Sequence, residues 1–177
     1  KPEHVVNYFF FIAEEVRRLM AQLGFRNFDD MIGQMDRLDM RKALNHAKAK
    51  GLDYSRLLFK PVAAEGVSVH HSETQDHGLD QALDHVLIRE AKAALEKGEP
   101  VKIEIDIHNY NRTFGTMLSG RLAEKYGHSG LPDDTVYIKA KGTAGQSFGA
   151  WVTKGVTIEL SGEGNDYVGK GLSGGRL

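Results

Sequence analysis

A segment beginning at Val136 recurs 20 residues later, and this period restricts the fold more than any other feature of the chain. Laid over the stretch from Val156, it pairs Val136 with Val156, Ile138 with Ile158, Ala140 with Leu160 and Gly142 with Gly162. The same alignment pairs Phe148 with Val168, Gly149 with Gly169 and Gly155 with Gly175. Short apolar alternations punctuated by glycine at a period near ~20 predict a β-solenoid, because each coil turns several tight corners and stacks on the next. Glycine serves at such corners, where a positive φ or a close backbone approach is required. The alternative is an ordinary β-meander.

Upstream of Thr135 the texture is helical. Val5, Val6, Phe9, Phe10, Ile12, Val16, Leu19, Met20 and Leu23 fall at spacings of three and four, a wide apolar helical face, with Pro2 suited to its first turn and Gly24 to its end. So many aromatic residues on one helix need a large body to pack against, and a further domain is expected to supply it. Asn27 to Asp30 reads as a helix start with a side-chain cap, and a short helical stretch is expected from about Leu38 to Lys50, before Gly51. Between Asp53 and Gly78, Pro61, Gly66 and a polar run from Ser68 to His77 predict an extended linker containing a domain boundary. Leu79, Leu83, Val86, Leu87, Ala91, Ala94 and Leu95 mark an amphipathic helix closed by Gly98. Val101, Ile103, Ile105 and Ile107 alternate with charged residues as a half-buried strand does. Phe114 to Tyr126 predicts a short helix ending at Gly127, although Gly115 and Gly120 weaken it.

Charge and cysteine content narrow the function classes. Lys plus Arg number 23 against 24 Asp plus Glu, so no basic excess draws the chain to nucleic acid or anionic lipid. The absence of cysteine excludes disulfides, thiol nucleophiles, thiolate zinc sites and any iron–sulfur cluster ligated by this chain alone. The longest apolar run, Tyr8 to Ala13, falls far short of the ~20 residues of a membrane helix, and nothing marks a signal peptide. A cytoplasmic protein is expected. Both ends read as cut from something longer: the chain opens on Lys1-Pro2 and stops at Gly174-Gly175-Arg176-Leu177 in the middle of a glycine-spaced pattern.

The run Gly162-Glu163-Gly164-Asn165-Asp166-Tyr167-Val168-Gly169-Lys170-Gly171-Leu172-Ser173-Gly174-Gly175 resembles the opening repeats of the GXGXG domain at the C-terminal end of glutamate synthase large subunits. Gly142-Thr143-Ala144-Gly145-Gln146-Ser147-Phe148-Gly149 resembles the preceding repeat, and Pro2-Glu3-His4-Val5-Val6-Asn7-Tyr8-Phe9 the helix after the cluster-binding cysteines of the flavin domain. The resemblance implies an α+β chain, with a helical N-terminal part followed by the first coils of a right-handed parallel β-helix. Residues 1–52 would be helices ending the FMN-binding domain, 53–98 a linker and connecting helix, and 99–177 the start of the GXGXG β-helix. It also implies a parent enzyme that makes L-glutamate from 2-oxoglutarate and glutamine-derived ammonia, with reduction at FMN and a 3Fe-4S cluster in the large subunit. In an NADPH-dependent form, a small subunit would bring FAD and 4Fe-4S clusters. The implied partners are the rest of the large subunit and that small subunit. The other class of function open to such a chain is a stand-alone GXGXG scaffold docking to separate enzyme subunits.

Neither reading places a catalytic, cofactor-binding or metal-ligating residue in this chain. Gly162-x-Gly164 and Gly169-x-Gly171 fit neither a dinucleotide fingerprint nor a P-loop, since the acidic partner would fall past Leu177 and Lys170 is wrongly spaced from its glycines. His70, His71, His77 and His85, with Glu73, Asp76 and Asp84, could form a metal site only on paper, because a linker leaves their geometry free. Asp106, His108 and Ser119 make a poor triad. Asp133-Asp134 and Glu14-Glu15 read as turn and solvated helix charges rather than paired catalytic carboxylates. Tyr8 to Phe11 are expected to be core beside a flavin domain, and Trp151 to pack on the solenoid.

Overall fold

A computed structural model describes residues 1–39 and 45–177. The chain divides into two compact units, Lys1–Gln75 and Asp76–Leu177.

In the first unit, helix α1 (Pro2–Leu23) has Pro2 in its first turn and ends at Gly24 in the left-handed conformation, as the sequence predicts. Its apolar side chains stay uncovered: only Met20 is buried, while Phe10 is 69% and Phe11 73% exposed. At 100° per residue, the positions from Val5 to Ala13 surround the axis, and a helix apolar on all sides is one that ends up enclosed. Beyond Ala13 charge returns. Arg17 and Arg18 both donate to the Glu14 carboxylate, holding Glu14 down at about 2. Helix α2 (Phe28–Met31) follows, but the Asn27 side chain does not cap it; its amide donates instead to the Asp30 carboxylate at 2.9 Å. The helix expected near Leu38–Lys50 falls partly outside the described residues, and from Asn45 to Gly51 the chain runs in turns.

The second unit contains α3 (Asp84–Glu90), α4 (Lys92–Lys97), β1 (Val101–Ile107), α5 (Thr116–Tyr126), β2 (Val136–Thr143) and β3 (Val156–Glu163). The single helix expected from Leu79 to Leu95 is thus a 3-10 turn followed by two helices meeting at Ala91. The break leaves Leu87, Ala91 and Ala94 on one buried face, so the apolar spacing carries no trace of it. Gly98 ends α4 in the left-handed conformation. The Lys125 ammonium and the Tyr126 hydroxyl, both on α5, satisfy carbonyls in the last turn of α4.

The three strands form one sheet in the order β1-β2-β3, parallel throughout, which excludes an antiparallel meander. Val136 lies opposite Val156, Ile138 opposite Ile158, Ala140 opposite Leu160 and Gly142 opposite Gly162. The sequence period is therefore the spacing of hydrogen-bonded neighbours. β1 is an earlier copy that the repeat alignment missed: Val101, Ile103, Ile105 and Ile107 lie opposite Val136, Ile138, Ala140 and Gly142, an offset of 35 residues, with α5 in the extra length.

Equivalence extends beyond the strands. The N–H of Gly149 donates to the Phe114 carbonyl at 3.0 Å, and that of Gly169 to the Phe148 carbonyl at 2.8 Å. The rings of Phe114 and Phe148 stack at 5.6 Å, 1° from parallel. Gly149 and Gly169 have φ of 67° and 68°, equivalent corners as the alignment implies, and Gly115 joins them at 90°. Two residues earlier Thr113, Ser147 and Tyr167 also take positive φ. The last aligned pair is displaced. Gly155, at φ 101°, corresponds in backbone to Gly174, at 96°, and not to Gly175.

Inward-facing Ile103, Ile107, Val136, Ile138, Val156 and Ile158 make one core with Leu87, Ala91 and Ala94 of α3 and α4, Leu118 and Leu122 of α5, and the Phe114–Phe148 pair. The outer face is charged and compensated across strands, with Lys139 between Glu104 and Glu159.

Candidate functional site

The most elaborated polar feature is Asp84. Its carboxylate is buried and accepts the N–H groups of Gly115 at 2.8 Å, Met117 at 2.7 Å and Leu118 at 3.3 Å. These are orphan donors at the start of α5, so a residue on α3 caps a helix more than thirty positions away. Burial pushes the Asp84 carboxyl above its ordinary value, while the three N–H groups pull the other way. Asp84 also sits three residues before Leu87 on an otherwise apolar face, a buried charge that the spacing alone could have revealed. The chemistry is structural: the carboxylate is 3% exposed and staples α3 to α5.

Asp84→Ala leaves those donors without their partner and should destabilise the unit by about 2–3 kcal/mol, with Asp84→Asn losing roughly half as much. A raised carboxyl pKa means the folded state holds the proton more tightly than the unfolded chain. The contribution from Asp84 should therefore decline as pH rises from the ordinary carboxylate range through the raised value, and level off above it. Urea titrations across that interval should show this decline in the parent chain and not in Asp84→Ala.

The remaining sequence candidates are dispersed. Among the described residues, no three His, Asp or Glu side chains converge as metal ligands. His85 lies 3.0 Å from the Leu79 carbonyl, His70 is tied through its backbone N–H to Ser68, and His71 and His77 are exposed. Ser119 is buried, its hydroxyl accepting the N–H of Thr153 at 3.3 Å, whereas Asp106 and His108 are on the surface. His108 stacks on Tyr110 at 5.3 Å. Asp134 pairs with Arg176, and Asp133 is exposed. The Trp151 ring lies over Gly171 and beside the Lys170 ammonium, packed on the following repeat.

The hollows on the sheet's outer face are shallow grooves. One of about 450 Å³ is lined by Lys102, Glu104, Asp134, Tyr137 and Lys139. Another, of about 550 Å³, lies at the ends of β1 and β2 among Asp106, His108, Tyr110, Lys141 and Thr143. Both mix opposite charges in contact with solvent, where ion pairs are weak. No helix among the described residues is long and apolar enough to cross a membrane.

What this unit does have is a repeating backbone: parallel strands in register, with glycine at matched corners. The model of the GXGXG motif family matches residues 84–177, the stretch from the Asp84 staple to the last repeat. The chain belongs to the GXGXG motif family. The GXGXG match covers α3, α4 and α5 as well as the strands, so the helices packed on the sheet lie within it.

Likeness to longer proteins runs through both units. The glutamate synthase [NADPH] large chain of Bacillus subtilis is 50% identical over 178 residues, which is 99% of this chain and 11% of that one. The glutamate synthase [NADH] of Schizosaccharomyces pombe is 47% identical, over 100% of this chain and 8% of its own. The ferredoxin-dependent glutamate synthase 2 of Synechocystis is 38% identical, over 99% of this chain and 11% of its own. This GXGXG chain therefore spans about a tenth of the length of these relatives.

Proposed function

We propose that this chain is a non-catalytic segment from the C-terminal part of a glutamate synthase large subunit, and that its second unit begins a right-handed parallel β-helix. The observation that carries the reading is the extent of the likeness. An alignment that is 50% identical overall covers 99% of the chain, so it takes in residues before the GXGXG match as well as the repeats. A stand-alone GXGXG scaffold would have no need of a glutamate-synthase-like α1, so the scaffold reading is the weaker one.

On this reading the whole enzyme makes L-glutamate from 2-oxoglutarate and ammonia released from glutamine, with reduction at FMN. The residues present here do not fit the cofactors. The chain has no cysteine to ligate a 3Fe-4S cluster, and the two grooves on its sheet are open and charged rather than an enclosed, largely apolar flavin site. FMN and the cluster are assigned to the rest of the polypeptide. An NADPH-linked donor, reached through a small subunit bearing FAD and 4Fe-4S clusters, is the preferred form on the 50% identity to a relative named for NADPH, with one named for NADH at 47%.

The role proposed for the stack is mechanical. Each repeat is held by backbone bonds to its neighbours along strands and corners alike, so the array resists bending as a unit. Such a spacer holds the ammonia-releasing and flavin sites in fixed relation. The aromatic half of α1 is then enclosed by the flavin domain.

Two measurements test the reading. The 177-residue chain, purified alone, should carry neither flavin nor cluster, and a stoichiometric flavin absorption band would overturn it. The coding frame read upstream of Lys1 should continue into a cysteine-bearing flavin domain, whereas a start codon beside Lys1 would favour the scaffold.

A further inference from the structure

Up to Ser173 the last repeat keeps the 20-residue count. Ser147 and Tyr167 share φ of 62°, Gly149 and Gly169 φ near 67°, and Thr153 bridges in parallel to Ser173. Then the count changes. Gly174 takes the conformation of Gly155, and Arg176 bridges in parallel to Thr157, an offset of 19. The bridge is bonded in both directions: the N–H of Arg176 donates to the Val156 carbonyl at 3.0 Å, and that of Ile158 to the Arg176 carbonyl at 2.9 Å. One residue has been dropped at the corner occupied by Lys154 in the previous repeat.

We propose that the side chains of Arg176 and Leu177 act as a register lock that shortens this repeat and sets which positions of the following strand face inward. At the 20-residue offset, Arg176 would stand opposite Val156 in the inward row of Val136 and Val156, which are 0% and 1% exposed. An unpaired guanidinium there would be stripped of water with no partner in exchange, and Leu177 would be turned out to solvent. At the observed offset, Arg176 joins the outward row of Tyr137 and Thr157. Its guanidinium donates to the Thr157 hydroxyl at 3.3 Å and pairs with the Asp134 carboxylate, which it holds below the usual carboxylate range. Leu177 then turns inward and lies over Gly149 and Gly169, where an added Cβ would meet its methyl groups at 2.6 and 3.2 Å. Because side chains alternate along a strand, a slip of one exchanges every inward for every outward position. The lock thus decides the outer surface that any following repeat offers.

The proposal rests on the coil-by-coil reading of this unit, and amide hydrogen exchange separates the two. Exchanging the two side chains, Arg176→Leu with Leu177→Arg, should restore the 20-residue register and move the protected amide from position 176 to 177, a change of at least tenfold at each. Inserting one glycine between Gly174 and Gly175 should leave the pairing intact, the arginine amide keeping its protection to within about threefold. Protection that stays at 176 in the exchange variant, or that collapses in the insertion variant, would mean that turn length and not the side chains sets the register. The Val136 amide, donated to the Gly155 carbonyl at 2.9 Å, is the control. Its loss in the parent chain would overturn the coil reading itself.

Discussion

Gly142→Ala should destabilise the second unit by about 3 kcal/mol or more, enough to melt much of a marginally stable domain at room temperature. Gly142 sits at φ 130°, a backbone conformation that L side chains rarely adopt, and a Cβ there would collide with the carbonyl oxygen of Ile107 on the neighbouring strand. Gly162 repeats the situation one strand on, at φ 148° against the carbonyl of Gly142. The obstacle is backbone on both sides, so no side chain can rotate away, and relief would require β1 and β2 to separate where they are bonded. Gly120→Ala supplies the contrast. Gly120 lies on the exposed face of α5 with nothing within 4 Å of an added Cβ, and alanine there should stabilise by about 0.5–1 kcal/mol. Chemical denaturation of the two variants beside the parent would test both. A Gly142→Ala protein as stable as the parent would show that the strands do not approach as closely as described.

What the sequence revealed and what it hid follow from how each feature is encoded. The 20-residue period was legible because parallel strands in register place like residues side by side, so that four of the seven aligned pairs are opposed strand neighbours. β1 was legible as a strand but not as a repeat. Ile107 stands where the later copies have Gly142 and Gly162, and α5 stretches the spacing to 35 residues, beyond the reach of any fixed-period alignment. The pairing of Gly155 with Gly175 failed for a reason that was present in the sequence: an arginine cannot take the place of Val136 and Val156 in a core, so the count had to break before Arg176. The Asp84 staple was hidden differently. Its partners are backbone N–H groups, which carry no residue signature, and Asp84 was weighed only as part of a metal site that was set aside. Ala91 interrupts a helix without interrupting its apolar face. The aromatic residues of α1 fall on a helix as their spacing expects and stay uncovered within this chain, the body expected to cover them being a further domain.

The end of the stack should behave as an unfinished surface. The helical layer of α3 and α4 packs on the core and turns Arg89, Glu90, Lys92, Glu96 and Lys97 to solvent, which is what a capping element needs. The last repeat has no such cover. Phe148 and Val152 are 2% and 0% exposed, whereas their counterparts Val168 and Leu172 are 49% and 45% exposed, and Leu177 is 46% exposed. Covering three half-exposed aliphatic side chains contributes about 1 kcal/mol apiece, which the chain alone forgoes. Past Arg176, β3 also has backbone groups able to recruit another strand. The 177-residue chain should therefore fray from Gly162 onward or associate through this face, and a chain extended by further repeats should be monodisperse and unfold cooperatively. Within the last repeat the N–H groups of Gly169 and Ser173, bonded to the carbonyls of Phe148 and Val152, are expected to exchange at least tenfold faster in the short chain than in the extended one. Sizing combined with hydrogen exchange decides the matter. A monomeric short chain in which Ile158 to Val168 are as protected as Val136 to Phe148 would mean that the last repeat is complete without a cover, and that the stack ends where it was taken to continue.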